Sequence, residues 1–192
     1  MKKLLLSCAV TLALAACGRQ SPPAGQAQAP APSPAETQPP PPASATAQLA
    51  PTQGHSASGT LTLTAEGTDA VRLTGSLQGL PPDAEFGFHI HEVGDCSAPD
   101  ASSAGAHFNP ANTEHGDPAG ATHHAGDMFN VKSDGQGMAT VDTTASGVTL
   151  ASAQPNDVLG KAVVLHAKPD DYKTQPSGGS GDRIACGVIG AG

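Results

Sequence analysis

Tryptophan is absent from this chain, tyrosine occurs once and phenylalanine four times, so aliphatic side chains must build any core. Basic residues are scarce as well. From His55 to Gly192 there are 6 Lys/Arg against 16 Asp/Glu, a formal −10. That balance makes nucleic acid and anionic membrane surfaces poor partners. It also repels an anionic substrate, so attraction must come from positive charge concentrated at a site. No amphipathic helical pattern occurs beyond the first residues. Membrane spans need roughly 20 apolar residues; the apolar run here, residues 4–16, has 13.

That short run follows Lys2 and Lys3 and ends in Leu14-Ala15-Ala16-Cys17. Residues 1–17 therefore read as a cleaved signal peptide rather than a span. The ending resembles a bacterial lipobox, in which Cys17 is lipidated and becomes the mature N-terminus. The alternative is an ordinary cut near Ala16, with Cys17 incidental. Gly18 after the cysteine favours, by the same resemblance, the outer membrane of a Gram-negative cell and a domain facing the periplasm. Cys8 leaves with the signal and Cys17 carries lipid, so Cys96 and Cys186 remain. In an oxidising envelope two cysteines are most economically one disulfide. Its loop of about 90 residues is worth roughly 4 kcal/mol in the chain-entropy account.

Residues 18–54 hold 10 of the 18 prolines, 9 alanines, and only Arg19 and Glu36 as charges. Such a stretch buries little and is expected to be a disordered tether, reaching roughly 100 Å at about 3.1 Å per residue. A proline-rich docking motif is the alternative, but the basic and aromatic companions of such ligands are missing.

From His55 the pattern changes to short alternating runs. Leu61 and Leu63 alternate with threonines; Val71, Leu73 and Leu77 alternate with polar residues; Phe86, Phe88 and Ile90 alternate with Gly87, His89 and His91; Val163 and Leu165 alternate with Val164 and His166. Period two with turns between predicts strands. Residues 55–192 are expected to form one all-β sandwich or flattened barrel of about eight antiparallel strands. Two segments fit no strand, 94–127 and 168–182, and long loops in a compact domain are usually functional.

The histidines lie around those loops. His89 and His91, two apart on a strand, leave the same face of the sheet, and Ile90 points the other way. His166 sits on another alternating strand, and His107 lies in Gly105-Ala106-His107-Phe108-Asn109-Pro110. Four imidazoles suit copper and keep both Cu(II) and Cu(I) accessible. His115, His124 and Asp127, with His107, make a His₃Asp set that suits zinc. An imidazole stripped of both protons binds a metal through each nitrogen, so His107 can serve both sets. His123 competes with its neighbour for zinc, but the spacing of 9 from His115 favours His124. His55 reads as a solvated residue.

With these motifs in place, residues 55–192 resemble the copper/zinc superoxide dismutases of the bacterial exported type, a β-sandwich family. The family's His-x-His-Glu is His89-Ile90-His91-Glu92, and the bridging histidine of Gly-x-His-Phe-Asn-Pro is His107. His115, His124 and Asp127 follow at the family's spacings, and Val163-Val164-Leu165-His166 carries the fourth copper ligand. The resemblance implies one copper on His89, His91, His107 and His166, and one zinc on His107, His115, His124 and Asp127. It makes Asp170 the carboxylate linking His89 to His115, and Arg183, in Gly181-Asp182-Arg183-Ile184-Ala185-Cys186-Gly187, the guide for the anion. The implied reaction converts superoxide to O₂ and H₂O₂, with copper cycling between two oxidation states and His107 carrying a proton. Lys173 is the candidate for a further steering cation. Cys96, only five residues after His91, departs from the animal members, which place that cysteine nearer the bridging histidine. The family contains monomers and homodimers. The rival reading is a non-catalytic envelope lipoprotein that buffers copper and zinc; a sandwich serving adhesion is a third, and it would have lost ligands.

Overall fold

The structure, a computed structural model, describes residues 43–192. The expected signal peptide, Cys17 and the greater part of the tether lie outside the described residues. Nine strands occur among them: β1 (Ser44–Pro51), β2 (Ser58–Glu66), β3 (Ala70–Gln78), β4 (Glu85–Phe86), β5 (Phe88–His91), β6 (Val131–Lys132), β7 (Ala139–Ser146), β8 (Ala162–His166) and β9 (Arg183–Ala191). Seven form one curled antiparallel sheet in the order β5-β8-β9-β1-β2-β3-β7, and β4 pairs with β6.

The alternation read from the sequence sets the inner face. Leu61, Leu63, Val71, Leu73 and Leu77 from β2 and β3 are buried with Phe86, Phe88, Ile90, Val163, Leu165 and Ile189. A smaller cluster of Ala101, Ala104, Ala162, Val164 and Cys186 lies on the opposite side of β8, where Cys96 packs against it. β5 is thus buried on both faces. Phe88 and Ile90 enter the core, while His89 and His91 face the loops.

One boundary differs from expectation. The tether predicted to run to residue 54 ends earlier, because Ser44–Pro51 is a full strand inside the sheet, between β2 and β9. Its composition is alanine and small polar residues, but its burial alternates strictly: Ala45, Ala47 and Leu49 are inside, with Ser44, Thr46 and Gln48 outside. A chain cut at His55 loses this strand and exposes the long edges of both neighbours.

The two longest segments without a strand flank the histidines. The first joins β5 to β6 and holds a short 3₁₀ turn, Ser102–Ala104; the second joins β8 to β9. They contain the loops read from the sequence. The disulfide Cys96–Cys186 ties the first to β9, and a register shift between Leu165 and His166 brings His166 opposite Arg183. Bulges of this kind re-aim side chains beside functional sites.

Candidate metal centre

The first loop returns to the edge of β5 and pairs with it. Phe108 N–H donates to Ile90 O at 2.8 Å, Ile90 N–H to Gly126 O at 2.9 Å, and Glu92 N–H to Ala106 O at 2.9 Å. Gly126 is needed for that approach, since a Cβ there would overlap the Ile90 carbonyl and crowd the Phe108 backbone. The result sets His107 beside His91 and Asp127 beside His89.

Six histidines and Asp127 converge in two sets that share His107. In each set, His89, His91, His107, His166 and His107, His115, His124, Asp127, the potential ligand atoms lie within 4.8 Å of one another. All seven side chains are buried. His123 stays outside, its Nδ1 donating to the His124 carbonyl at 2.7 Å, and His55 is exposed.

Hydrogen bonds from the outward ring nitrogens select which nitrogen points inward. His91 Nδ1 donates to Gly105 O at 3.0 Å and His166 Nδ1 to Gly181 O at 3.2 Å. Their Nε2 atoms then present lone pairs to each other at 3.3 Å, an arrangement that repels without a positive charge between them. His89 Nε2 donates to Asp170 Oδ2 at 2.7 Å and His115 Nε2 to Asp170 Oδ1 at 3.0 Å. Three buried nitrogens are left without a hydrogen bond, His89 Nδ1, His107 Nε2 and His124 Nδ1, while His115 Nδ1 lies 2.9 Å from Asp127 Oδ2. Each such atom costs about 1–3 kcal/mol unless something satisfies it. On the other side of its ring, His107 Nδ1 lies 2.7 Å from Asp127 Oδ1. The inward atoms therefore fit two cations, one among four imidazole nitrogens and one among three imidazoles and a carboxylate.

Electrostatics follow the same division. Burial pushes His89 down to about 4 against the opposing pull of Asp170, pushes His166 down to about 3, and holds His91 well below its ordinary value. These rings are neutral at physiological pH, the form in which an imidazole can bind a metal. Burial also pulls His115 down, but Asp127 and Asp170 outweigh it and hold it up at about 9. Both carboxyls are themselves held well below the usual carboxylate range: burial opposes this, and hydrogen bonds from His107 and His115 to Asp127, and from His115 and His89 to Asp170, prevail.

A cleft of about 610 Å³ opens over the shared histidine, lined by His91, His107, His166 and Arg183 among others. Arg183 is fixed there by Nη1 to Ala101 O and Nη2 to Gly105 O, both at 2.6 Å. It is the one Lys/Arg among the described residues lining the cleft, which also includes Glu92 and Glu114. Lys173 is exposed and does not line it; the stem of Lys168 instead passes Gly181, which does. Two supports escape a reading of the sequence. Asn130 grips the Asp170 backbone, accepting from its N–H and donating to its carbonyl at 2.9 Å each. Gly178, at φ +67°, leaves room for the Asp170 carboxylate, which any Cβ there would overlap.

The raised His115 pKa yields a test. Its folded value of about 9 lies above the ordinary 6.5. Its contribution to the stability of the metal-free protein is therefore full below about pH 6.5 and lost as pH rises through about 9. Zinc must displace that proton, so zinc uptake near pH 7 should release about one proton from His115, and none above about pH 10. Calorimetry in buffers of different ionisation enthalpy reads this directly; uptake at pH 7 with no proton released contradicts it.

Comparison with known proteins bears on the same residues. The family model described as copper/zinc superoxide dismutase (SODC) matches residues 57–189. Two proteins of Aquifex aeolicus (strain VF5) are similar. Superoxide dismutase [Cu-Zn] 2 is 48% identical over 117 residues, 58% of this chain and 67% of that protein. Superoxide dismutase [Cu-Zn] 1 is 48% identical over 115 residues, 57% of this chain and 67% of that protein. Among solved structures, the clock protein EA4 superposes with a TM-score of 0.69 at 38% identity, covering 78% of this chain and 95% of that one. A double mutant of a SOD-like protein from Bacillus subtilis superposes with a TM-score of 0.68 at 38% identity, covering 76% and 97%. With two buried histidine-rich sets sharing His107 and a family match over residues 57–189, this chain belongs to the copper/zinc superoxide dismutases.

Proposed function

We propose that the chain dismutes superoxide to O₂ and H₂O₂ as a lipid-anchored enzyme of the cell envelope. The observation that carries the activity is the shared His107, standing between a four-imidazole set and a His₃Asp set at the base of a cleft with a fixed arginine. His89, His91, His107 and His166 would hold copper, and His107, His115, His124 and Asp127 zinc. Copper supplies one-electron cycling between Cu(II) and Cu(I), and zinc supplies a fixed charge without redox chemistry.

The chain's residues do the rest. Two superoxide anions and two protons give one O₂ and one H₂O₂, so the protein must gather anions and deliver protons. His107 is suited to proton delivery, because its Nε2 is buried without a hydrogen-bond partner beside the cleft. It can hold a proton there and hand it to the reduced substrate. Arg183 is suited to gathering anions, because its guanidinium is permanently charged and anchored by two backbone carbonyls. A narrow low-dielectric cleft focuses that charge against the −10 of the surrounding domain. Asp170 keeps His89 and His115 in the tautomers that face inward. A store for copper and zinc needs both ligand sets but has no use for an open cleft with an immobilised cation.

The lipobox-like Leu14-Ala15-Ala16-Cys17 supports anchoring through Cys17, and Gly18 supports the outer membrane, with the domain in the periplasm. The Cys96–Cys186 disulfide accords with an oxidising compartment. Monomer and homodimer are both compatible with this reading.

Changing Arg183 to Gln should lower kcat/KM by roughly 10- to 100-fold, the usual range for lost electrostatic steering, and flatten its dependence on ionic strength. Metal content should stay unchanged. Stopped-flow decay across a salt series reads both, and an unchanged rate and salt slope removes Arg183 from the guiding role. Changing Cys17 to Ser should abolish lipidation and shift the active protein out of the membrane fraction. A Cys17→Ser variant that still carries lipid contradicts the anchor.

A further inference from the structure

The second loop touches the His₃Asp set at two points, and only one of them enters the chemistry of the site. Asp170 holds the His115 ring through Nε2. Five residues on, the Gln175 side chain holds the His115 backbone. Gln175 Oε1 accepts from the His115 N–H at 3.0 Å, and Gln175 Nε2 donates to the His115 carbonyl at 2.8 Å. A side-chain amide presents one acceptor and one donor in a plane, the pattern a neighbouring strand offers to an extended residue. Gln175 thus replaces a strand where the first loop has none. Asn130 makes the same two bonds in the opposite direction, from the end of the first loop to the Asp170 backbone. Each loop grips the backbone of a site residue carried by the other.

We propose that Gln175 is a positioning residue for the zinc ligand His115, and that it sets how long the site retains zinc. This rests on the reading of His107, His115, His124 and Asp127 as the zinc set. For Nδ1 of His115 to remain a ligand, both ring and backbone must stay in place. Asp170 fixes the direction of the ring, and Gln175 fixes the peptide from which the ring projects. Gln175 also lines the cleft, so the bond that steadies zinc also steadies the cleft wall. The residue itself is exposed, so replacing it removes no core packing.

The test uses the full chain loaded with zinc alone and challenged with a chromogenic chelator. Gln175→Met keeps the length of the side chain and loses both bonds. Gln175→Glu keeps the acceptor for the His115 N–H and loses the donor. Zinc release should be roughly tenfold faster in Gln175→Met, the factor that about 1.4 kcal/mol represents, and intermediate in Gln175→Glu. Amide exchange should quicken at His115 and not in β2 or β3. Release from Gln175→Met at the parent rate overturns the proposal, as does faster exchange spread evenly through the sheet. If Gln175→Met does not fold, Gln175→Glu decides alone, and a parent-like release rate from it overturns the proposal. A parent chain that retains no zinc overturns the zinc reading beneath it, and the clamp with it.

Discussion

Imidazole lone pairs aimed at one another in a buried space repel, and the rest of this site is arranged around that repulsion. His91 and His166 face each other through Nε2 at 3.3 Å, and His89 Nδ1, His107 Nε2 and His124 Nδ1 have no hydrogen bond. At about 1–3 kcal/mol for each unsatisfied group, the metal-free centre is a sizeable strain on a domain whose net stability is of the order of 10 kcal/mol. A site so costly persists only when the surrounding structure forces it and a ligand relieves it. The sheet and the disulfide supply the force, and two cations supply the relief.

The forcing can be followed residue by residue. Strand alternation sends His89 and His91 to one face and Ile90 to the core. The register shift after Leu165 brings His166 and Arg183 to the same end of the sheet. The first loop pairs along β5 and delivers His107 and Asp127, while Asp170, from the second, bridges His89 and His115 with one carboxylate. The carbonyls of Ala101 and Gly105 that hold Arg183 belong to the segment tied down by Cys96–Cys186. The two histidine sets, the second loop and the fixed Arg183 are therefore one connected structure. Its net result is local positive charge at the bottom of a cleft in an acidic domain.

How much of this is legible in the sequence depends on what each residue has to be. A metal ligand must be a particular residue type at a particular spacing, so all seven side chains that converge in the two sets, together with Asp170, can be named from the sequence. Strands with leucine or valine every second position are equally visible. β1 is hidden because its inward residues are Ala45, Ala47 and Leu49, within a proline- and alanine-rich stretch where alternation of small residues carries little hydrophobic contrast. Gln175 and Asn130 are hidden for another reason. They bind backbone rather than side chains, across 60 and 40 residues, and a backbone partner leaves no signature in residue identity. Lys173 is suggested by loop membership alone, and loop membership does not say which way a side chain lies.

The four-imidazole set should turn over superoxide at copper rather than merely bind the metal. The most direct measurement is stopped-flow superoxide decay with the full chain, first loaded with zinc alone and then with copper added at one equivalent. Zinc alone should leave the spontaneous rate unchanged, and one equivalent of copper should give first-order decay through many substrate equivalents. Copper bound stoichiometrically with no acceleration of decay would contradict turnover, leaving the fold and both ligand sets in place as a metal store.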